Sequence, residues 1–248
     1  MLNNKIFNLA PEGRFYLLAM RFQLMAGNLK PIPHKCTLSQ EIKRKKMFRS
    51  QGEEKAWHRL QTMNPEEVCK NADIIFDKNS GLYTITCAGC DFTVSPEKKE
   101  IMSLSDKGTL FLTQLSYFFT LSLIWYLVSA KDIPLTGRLI KPEDLKGGDI
   151  FFKGSHVLPL DGIARKYGAE KDKFIEKSLS YCGKPLKLGD ISFELRPMPR
   201  FAVTLILWLE DEEFPSRVDL LFDSSCEFQV PIDIIWSLAM MSALMYLK

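Results

Sequence analysis

The sequence predicts an α+β fold, an antiparallel sheet with buried apolar helices, preceded by a helical N-terminal extension. Three observations lead there. Helical and β segments cluster along the chain instead of alternating, which argues against a parallel βαβ sheet. The strand candidates lie close together and are joined by turn-forming residues. Two long apolar segments, Gly108 to Ala130 and Pro231 to Leu247, carry almost no charge and need burial.

Length and composition set the frame. The chain has 248 residues, 46% hydrophobic and 25% charged. At roughly 150 residues per domain it holds one or two domains, with ample material for a core. That balance excludes a disordered tail, a collagenous repeat and a disulfide-dense miniprotein. A net charge of +3 does not by itself indicate a polyanionic partner. The charge is unevenly placed, however. Residues 1–62 hold twelve basic and four acidic residues, a balance of +8, so residues 63–248 carry −5. We therefore expect residues 1–50 to form a basic helical extension and residues 51–248 the α+β domain.

In the extension, residues 11–26 read as one helix with Pro11 near its start and Gly27 beyond it. Two prolines follow, and Thr37 with Gln40 resembles a capping box opening a helix over residues 38–49. A further helix is expected around Glu53 to Thr62. Asn64-Pro65-Glu66-Glu67 suits the first turn of another, with proline at a first helical position and acids near the positive end. ADIIFD, the KNSG turn, GLYTITC and DFTVSP then read as a meander, with Cys87 and Cys90 at a hairpin bend.

Gly108 to Ala130 comprises 23 uncharged residues. At 1.5 Å per residue one such helix would cross a hydrocarbon layer of about 30 Å. Thr109, Thr113, Ser116 and Thr120 nevertheless line one side of it, and Lys107 and Lys131 flank it symmetrically. A central helix inside a domain is the expectation, and a membrane partner is disfavoured. Helices are then expected near residues 158–167 and 170–181, the latter ended by Gly183. ISFELRP, FAVTLILWLE and RVDLLFD follow as strands, with the DEEFPS link forming a hairpin between the last two. A final helix occupies Pro231 to Leu247.

Several segments resemble the domain-of-unknown-function family numbered 3786. They are AWHRLQTMNPEEVCKNA, GLYTITCAGCDFTVSPE, LIKPEDLKGGDIFFKGSHVLPLDGIARKYG, the stretch from Gly189 to Ser225, and VPIDIIW. The resemblance covers about residues 52–247. Its most specific pieces are Gly147-Gly148 with Phe152, Gly154 and His156, and the Trp208 to Asp223 strand pair. It implies a soluble cytoplasmic domain of mainly anaerobic bacteria and archaea, with a place in redox or cofactor metabolism. It implies no catalytic residue and names no cofactor. The Cys87/Cys90 bend is usually filled by other residues around a glycine, here Gly89, which makes the pair peculiar to this chain.

The candidate ligand-binding residues are Gly147, Gly148, Gly154, His156, Asp223 and Asp233. The glycines permit close backbone approach, and an imidazole ligates a metal or shuttles a proton. A loop histidine holding a backbone carbonyl fits the same pattern. Cys87-x-x-Cys90 supplies half of a metal knuckle, a reversible dithiol or a buried hairpin pair. His34 and His58 read as surface groups, and Asp211, Glu212 and Glu213 as solvated turn acids. Lys43, Arg44, Lys45, Lys46 and Arg49 form a basic cluster suited to an acidic partner surface. With only Phe48 interleaved for base stacking, it does not indicate nucleic acid. Three functions follow: a ligand-binding or accessory protein with a small-molecule or protein partner, an enzyme pairing His156 with Asp223 or Asp233, and a metal or dithiol redox protein at Cys87 and Cys90.

Overall fold

A computed structural model of the chain describes residues 50–103, 105–152 and 156–248. The helices expected over 11–26 and 38–49, the basic cluster and Gly154 lie outside the described residues. Helix α1 (Gln51–Thr62) starts where Ser50 Oγ accepts the Glu53 N–H, and it buries Ala56, Trp57 and Leu60. Helix α2 (Pro65–Ala72) starts at Asn64, whose side chain accepts the Glu66 N–H. Both starts use a short polar side chain to satisfy a backbone donor that the helix cannot.

The meander follows as a four-stranded antiparallel sheet, β1 (Ile75–Asp77), β2 (Leu82–Cys87), β3 (Cys90–Ser95) and β4 (Glu100–Ser103), in that order. Strand β2 alternates between buried and more exposed positions, so one face meets the core. Strand β4 is an addition to the expected set. Its Glu100-Ile-Met-Ser103 segment is short and only partly covered, and pairing with β3 rather than its own pattern makes it a strand.

The apolar stretch differs from the single helix expected. It forms α3 (Asp106–Thr113) and α4 (Ser116–Ser129), bent by 98° at Gln114 and Leu115. Ser105 caps α3 by accepting the Gly108 N–H, and the Thr109 and Thr113 hydroxyls bond back to the Ser105 and Thr109 carbonyls. Such back-bonding competes with the helix ladder, and here it lies in the segment just before the bend. Leu121 to Val128 are all buried. No single helix among the described residues is long and apolar enough to cross a membrane.

A second antiparallel sheet has the order β5 (Leu139–Ile140), β9 (Arg217–Asp223), β8 (Phe201–Trp208), β7 (Ile191–Met198) and β6 (Lys184–Leu186). Strand β8 is buried at every position but its last. A central strand covered on both faces has no solvent side, which is why FAVTLILW shows no alternation. Helix α6 (Leu160–Tyr167) packs on β9, and α7 (Lys171–Ser180) packs on β7. After the short helix α8 (Cys226–Gln229), helix α9 (Ile232–Leu247) packs on α4, α6 and β7. Two polar links join the apolar helices α4 and α9, Ser122 Oγ to Ser237 Oγ at 2.9 Å and Ser237 Oγ to the Phe118 carbonyl at 3.4 Å.

Helix α7 does not end on Gly183 in the left-handed region. Cys182 takes that conformation, with φ 55°. Gly183 is required for a different reason: a Cβ there would lie 2.8 Å from the Ser178 carbonyl oxygen. The two sheets meet where the β2–β3 turn docks on β7, the Ala88 N–H donating to the Arg196 carbonyl at 2.7 Å. Strand β6 pairs only with Ser192 to Glu194, which leaves Arg196 able to accept.

Candidate functional site

The Gly147-Gly148 pair opens a short helix, α5 (Gly148–Phe151). Gly147 has φ +82°, a conformation that a side chain disfavours, and a Cβ on it would stand 3.9 Å from Ile232 Cδ1. A Cβ on Gly148 would fall 1.9 Å from the Pro142 carbonyl oxygen, so only glycine fits. The close approach expected toward a ligand is, at these two glycines, an approach to the protein itself. They seat the loop on the 3₁₀ turn Pro142–Asp144 and on the start of α9.

His156 also packs on α9. The Trp236 indole N–H donates to the His156 carbonyl at 2.7 Å, and the two rings stand edge to face, 5.1 Å between centres. Trp236 in turn contacts Phe118 of α4 at 5.8 Å. Burial pushes the half-buried His156 imidazole below the ordinary value of 6.5. It is therefore mainly neutral at pH 7, with one donor and one acceptor nitrogen. Asp233 sits in the first turn of α9, three residues before Trp236, and its carboxylate accepts the Ile234 N–H at 3.0 Å. Residues three apart neighbour one another on a helix, so Asp233 and Trp236 share a face.

Asp223 has other work. It is 3% exposed. Its Oδ1 accepts from Thr136 N at 3.1 Å, Thr136 Oγ1 at 3.0 Å, Ser225 N at 2.9 Å and Ser225 Oγ at 2.7 Å. Its Oδ2 accepts from Gly137 N at 2.7 Å. Burial pushes the carboxyl up, but the donors from Ser225, Thr136 and Gly137 outweigh it and hold it below the ordinary carboxylate value. This carboxylate ties the Thr136–Gly137 bend to the end of β9.

Cys87 and Cys90 flank a two-residue turn in which Ala88 has φ 46° and Gly89 φ 71°. Both side chains face inward, 0% and 4% exposed, and Cys87 Sγ lies 3.6 Å from Met198 Sδ. Burial pushes the Cys87 thiol well above its ordinary value, with Cys90 and Asp91 adding to the effect. Burial also raises Cys90, against the opposing pull of Lys107 and of a hydrogen bond from Ser105. A thiol held protonated is a poor nucleophile and a poor metal ligand. Among the described residues no group of three or more His, Cys, Asp and Glu side chains gathers to hold a metal.

Sequence reasoning missed Cys182, whose thiol lies against the same turn: a Cβ on Gly89 would meet Cys182 Sγ at 2.5 Å. No spacing pattern links two residues so far apart in the chain. His58 is exposed on α1. Asp211 accepts the Glu213 and Phe214 N–H groups at 2.9 and 2.7 Å, the self-bonding of a turn aspartate. A shallow cleft of about 400 Å³ lies at residues 168–173 and Leu209, and none of the candidates lines it.

The described fold is thus of the α+β class, two antiparallel sheets held together by buried helices, with a glycine-seated histidine loop on its last helix. The model of the family described as Domain of unknown function (DUF3786) matches residues 64–245, and the chain belongs to that family. No curated protein and no solved structure matches it.

Proposed function

We propose that the chain is a ligand-binding or accessory protein whose working surface is where Gly147, Gly148 and His156 meet the first turns of α9. The observation that carries this reading is the arrangement at Trp236. A half-buried imidazole is held edge to face on an indole, its backbone is anchored by the indole N–H, and a carboxylate lies on the same helix face. A neutral imidazole in such a place accepts a ligand's proton donor or ligates a metal without first losing a proton. The place in redox or cofactor metabolism, and in the cytoplasm, belongs to the same proposal and rests on the family resemblance.

An enzymatic reading draws on the same geometry, with His156 as base and Asp233 as its carboxylate. Asp223 gives it less support, because five donors of its own chain already occupy that group. The metal or dithiol reading at Cys87 and Cys90 gains support only from their register-opposed positions, while burial of the thiols weighs against it.

The test is purification of the full chain without oxygen, followed by its visible absorption spectrum and metal content by mass spectrometry, for the wild type and for His156→Ala. A coloured or metal-bearing group that is stoichiometric in the wild type and lost in the variant supports the reading. The same group retained in His156→Ala but lost in Cys87→Ser with Cys90→Ser would move the site to the hairpin.

A further inference from the structure

At the other end of α9 the side-chain charges are arranged unusually. Lys107 of α3, Lys166 of α6 and Lys177 of α7 come from three separate helices and gather around two tyrosines. Lys107 Nζ lies 5.4 Å and Lys177 Nζ 5.3 Å from the centre of the Tyr181 ring. Those two ammonium groups are therefore no farther apart than the sum of the two distances. Lys166 Nζ lies 5.2 Å from the centre of the Tyr167 ring. Lys177 is partly buried, and burial followed by the charges of Lys166 and Lys107 pushes its ammonium below the ordinary lysine value.

Among the described residues no carboxylate pairs with these charges. Yet residues 63–248 contain 26 acidic side chains and carry −5 overall. In an acid-rich domain, a cluster of like charges without a counter-ion is a local exception to charge balance, and mutual repulsion costs stability.

Two of the three are fixed in place. Lys107 Nζ donates to the Ser180 carbonyl at the end of α7, and Lys166 Nζ donates to the Tyr246 carbonyl near the end of α9 at 2.8 Å. Helix ends attract cations because their last carbonyls are unsatisfied. Each ammonium has three donors, so capping one carbonyl leaves others for a ligand. The helix ends thereby hold the charges in position before anything binds, which lowers the entropy lost on binding. The cluster contains no arginine. Planar two-point recognition of carboxylate favours the guanidinium fork, whereas lysine binds as a point charge and suits a phosphate.

We propose that Lys107, Lys166 and Lys177 form a binding site for the phosphate group of a small phosphorylated molecule, seated beside Tyr181 at the C-terminal ends of α7 and α9. The site is independent of the His156 surface, which lies at the opposite end of α9.

The full chain is titrated with inorganic pyrophosphate by calorimetry, with sodium chloride of equal ionic strength as reference. Saturable binding to one site is expected in the wild type, weakened about tenfold in Lys177→Gln, the loss of one charge-assisted hydrogen bond. Lys187→Gln, an exposed lysine outside the cluster, leaves the affinity unchanged. Without pyrophosphate, Lys177→Gln melts no lower than the wild type, because repulsion is relieved. Should the Gln variant fail to fold, Lys177→Met keeps the aliphatic stem on Tyr181 and takes its place. Absence of saturable binding beyond the chloride reference, or equal affinity in the Lys177 variant, overturns the proposal.

Discussion

Asp223 closes β9 and Asp233 opens α9, and the two ends behave differently. The end of β9 is a closed polar knot, a carboxylate 3% exposed and bonded to five donors of its own chain. The start of α9 is partly open, its carboxylate in a first helical turn and its neighbouring indole holding the His156 loop. A buried charge persists only when its hydrogen bonds are satisfied internally, and that satisfaction removes it from chemistry. Asp233 is less buried and accepts the Ile234 N–H within its own first turn. The contrast separates a structural aspartate from a candidate functional one, although both border apolar sequence in the same way.

The largest effect should come from opening the knot. Asp223→Ala removes the carboxylate from five donors, of which the Ser225 N–H and hydroxyl are buried, and is expected to cost about 2–3 kcal/mol in urea denaturation. A loss below about 1 kcal/mol would show that the knot does not hold in solution. The pH dependence has a definite sign. A carboxyl held below its ordinary value stabilises the fold fully above about pH 4 and loses that contribution as pH falls through the folded value. Asp223→Asn should therefore flatten the acid limb of the stability profile.

The next effect tests how the histidine loop is seated. Gly148→Ala drives a Cβ onto the Pro142 carbonyl and is expected to cost about 2–3 kcal/mol. Gly147→Ala meets only Ile232 at contact distance, and its left-handed backbone costs about 1–2 kcal/mol. Equal losses at the two positions, measured by thermal or urea unfolding, would mean that the loop is free to shift away from Pro142.

Trp236→Phe keeps most of the aromatic packing but removes the N–H that His156 accepts, for an expected loss of about 1 kcal/mol. Loop amides that exchange no faster with deuterium in this variant would show that the indole does not anchor the loop. The smallest effect belongs to His156 itself. Burial lowers its folded value, so its contribution is complete above about pH 6.5 and is lost as pH falls from there through the folded value. His156→Gln should remove that slope, and NMR titration of the wild-type imidazole should give a midpoint below that of free histidine.

Much of the fold was legible because its signals are local. Asn64-Pro65 with its following acids, the hairpin at Cys87 to Cys90, and the Trp208 to Asp223 pair with its acidic link each read correctly from a few adjacent residues. The break at Gln114 and Leu115 was not legible, since an uncharged run gives no period that distinguishes one helix from two crossing at 98°. Strand β4 was missed because pairing with β3, not its own composition, defines it. In the candidate site, Gly147, Gly148 and His156 were singled out as residues that let backbone approach a ligand. That the glycines approach Pro142 and Ile232, and that the His156 backbone meets Trp236, was visible only in space.

The sequence alone determined the α+β class, the order of the main helices and strands, and the short list of side chains with chemistry in them, because propensity, capping and turn geometry act over a few residues. The tertiary structure alone decided which of those side chains are already spent. Whether Asp223 is saturated, whether Cys87 meets Met198 or a solvent path, and whether Lys107 and Lys177 both reach the Tyr181 ring depends on partners brought together from distant parts of the chain. Burial and hydrogen bonding set the chemistry of a polar group, and both are properties of its neighbours in space.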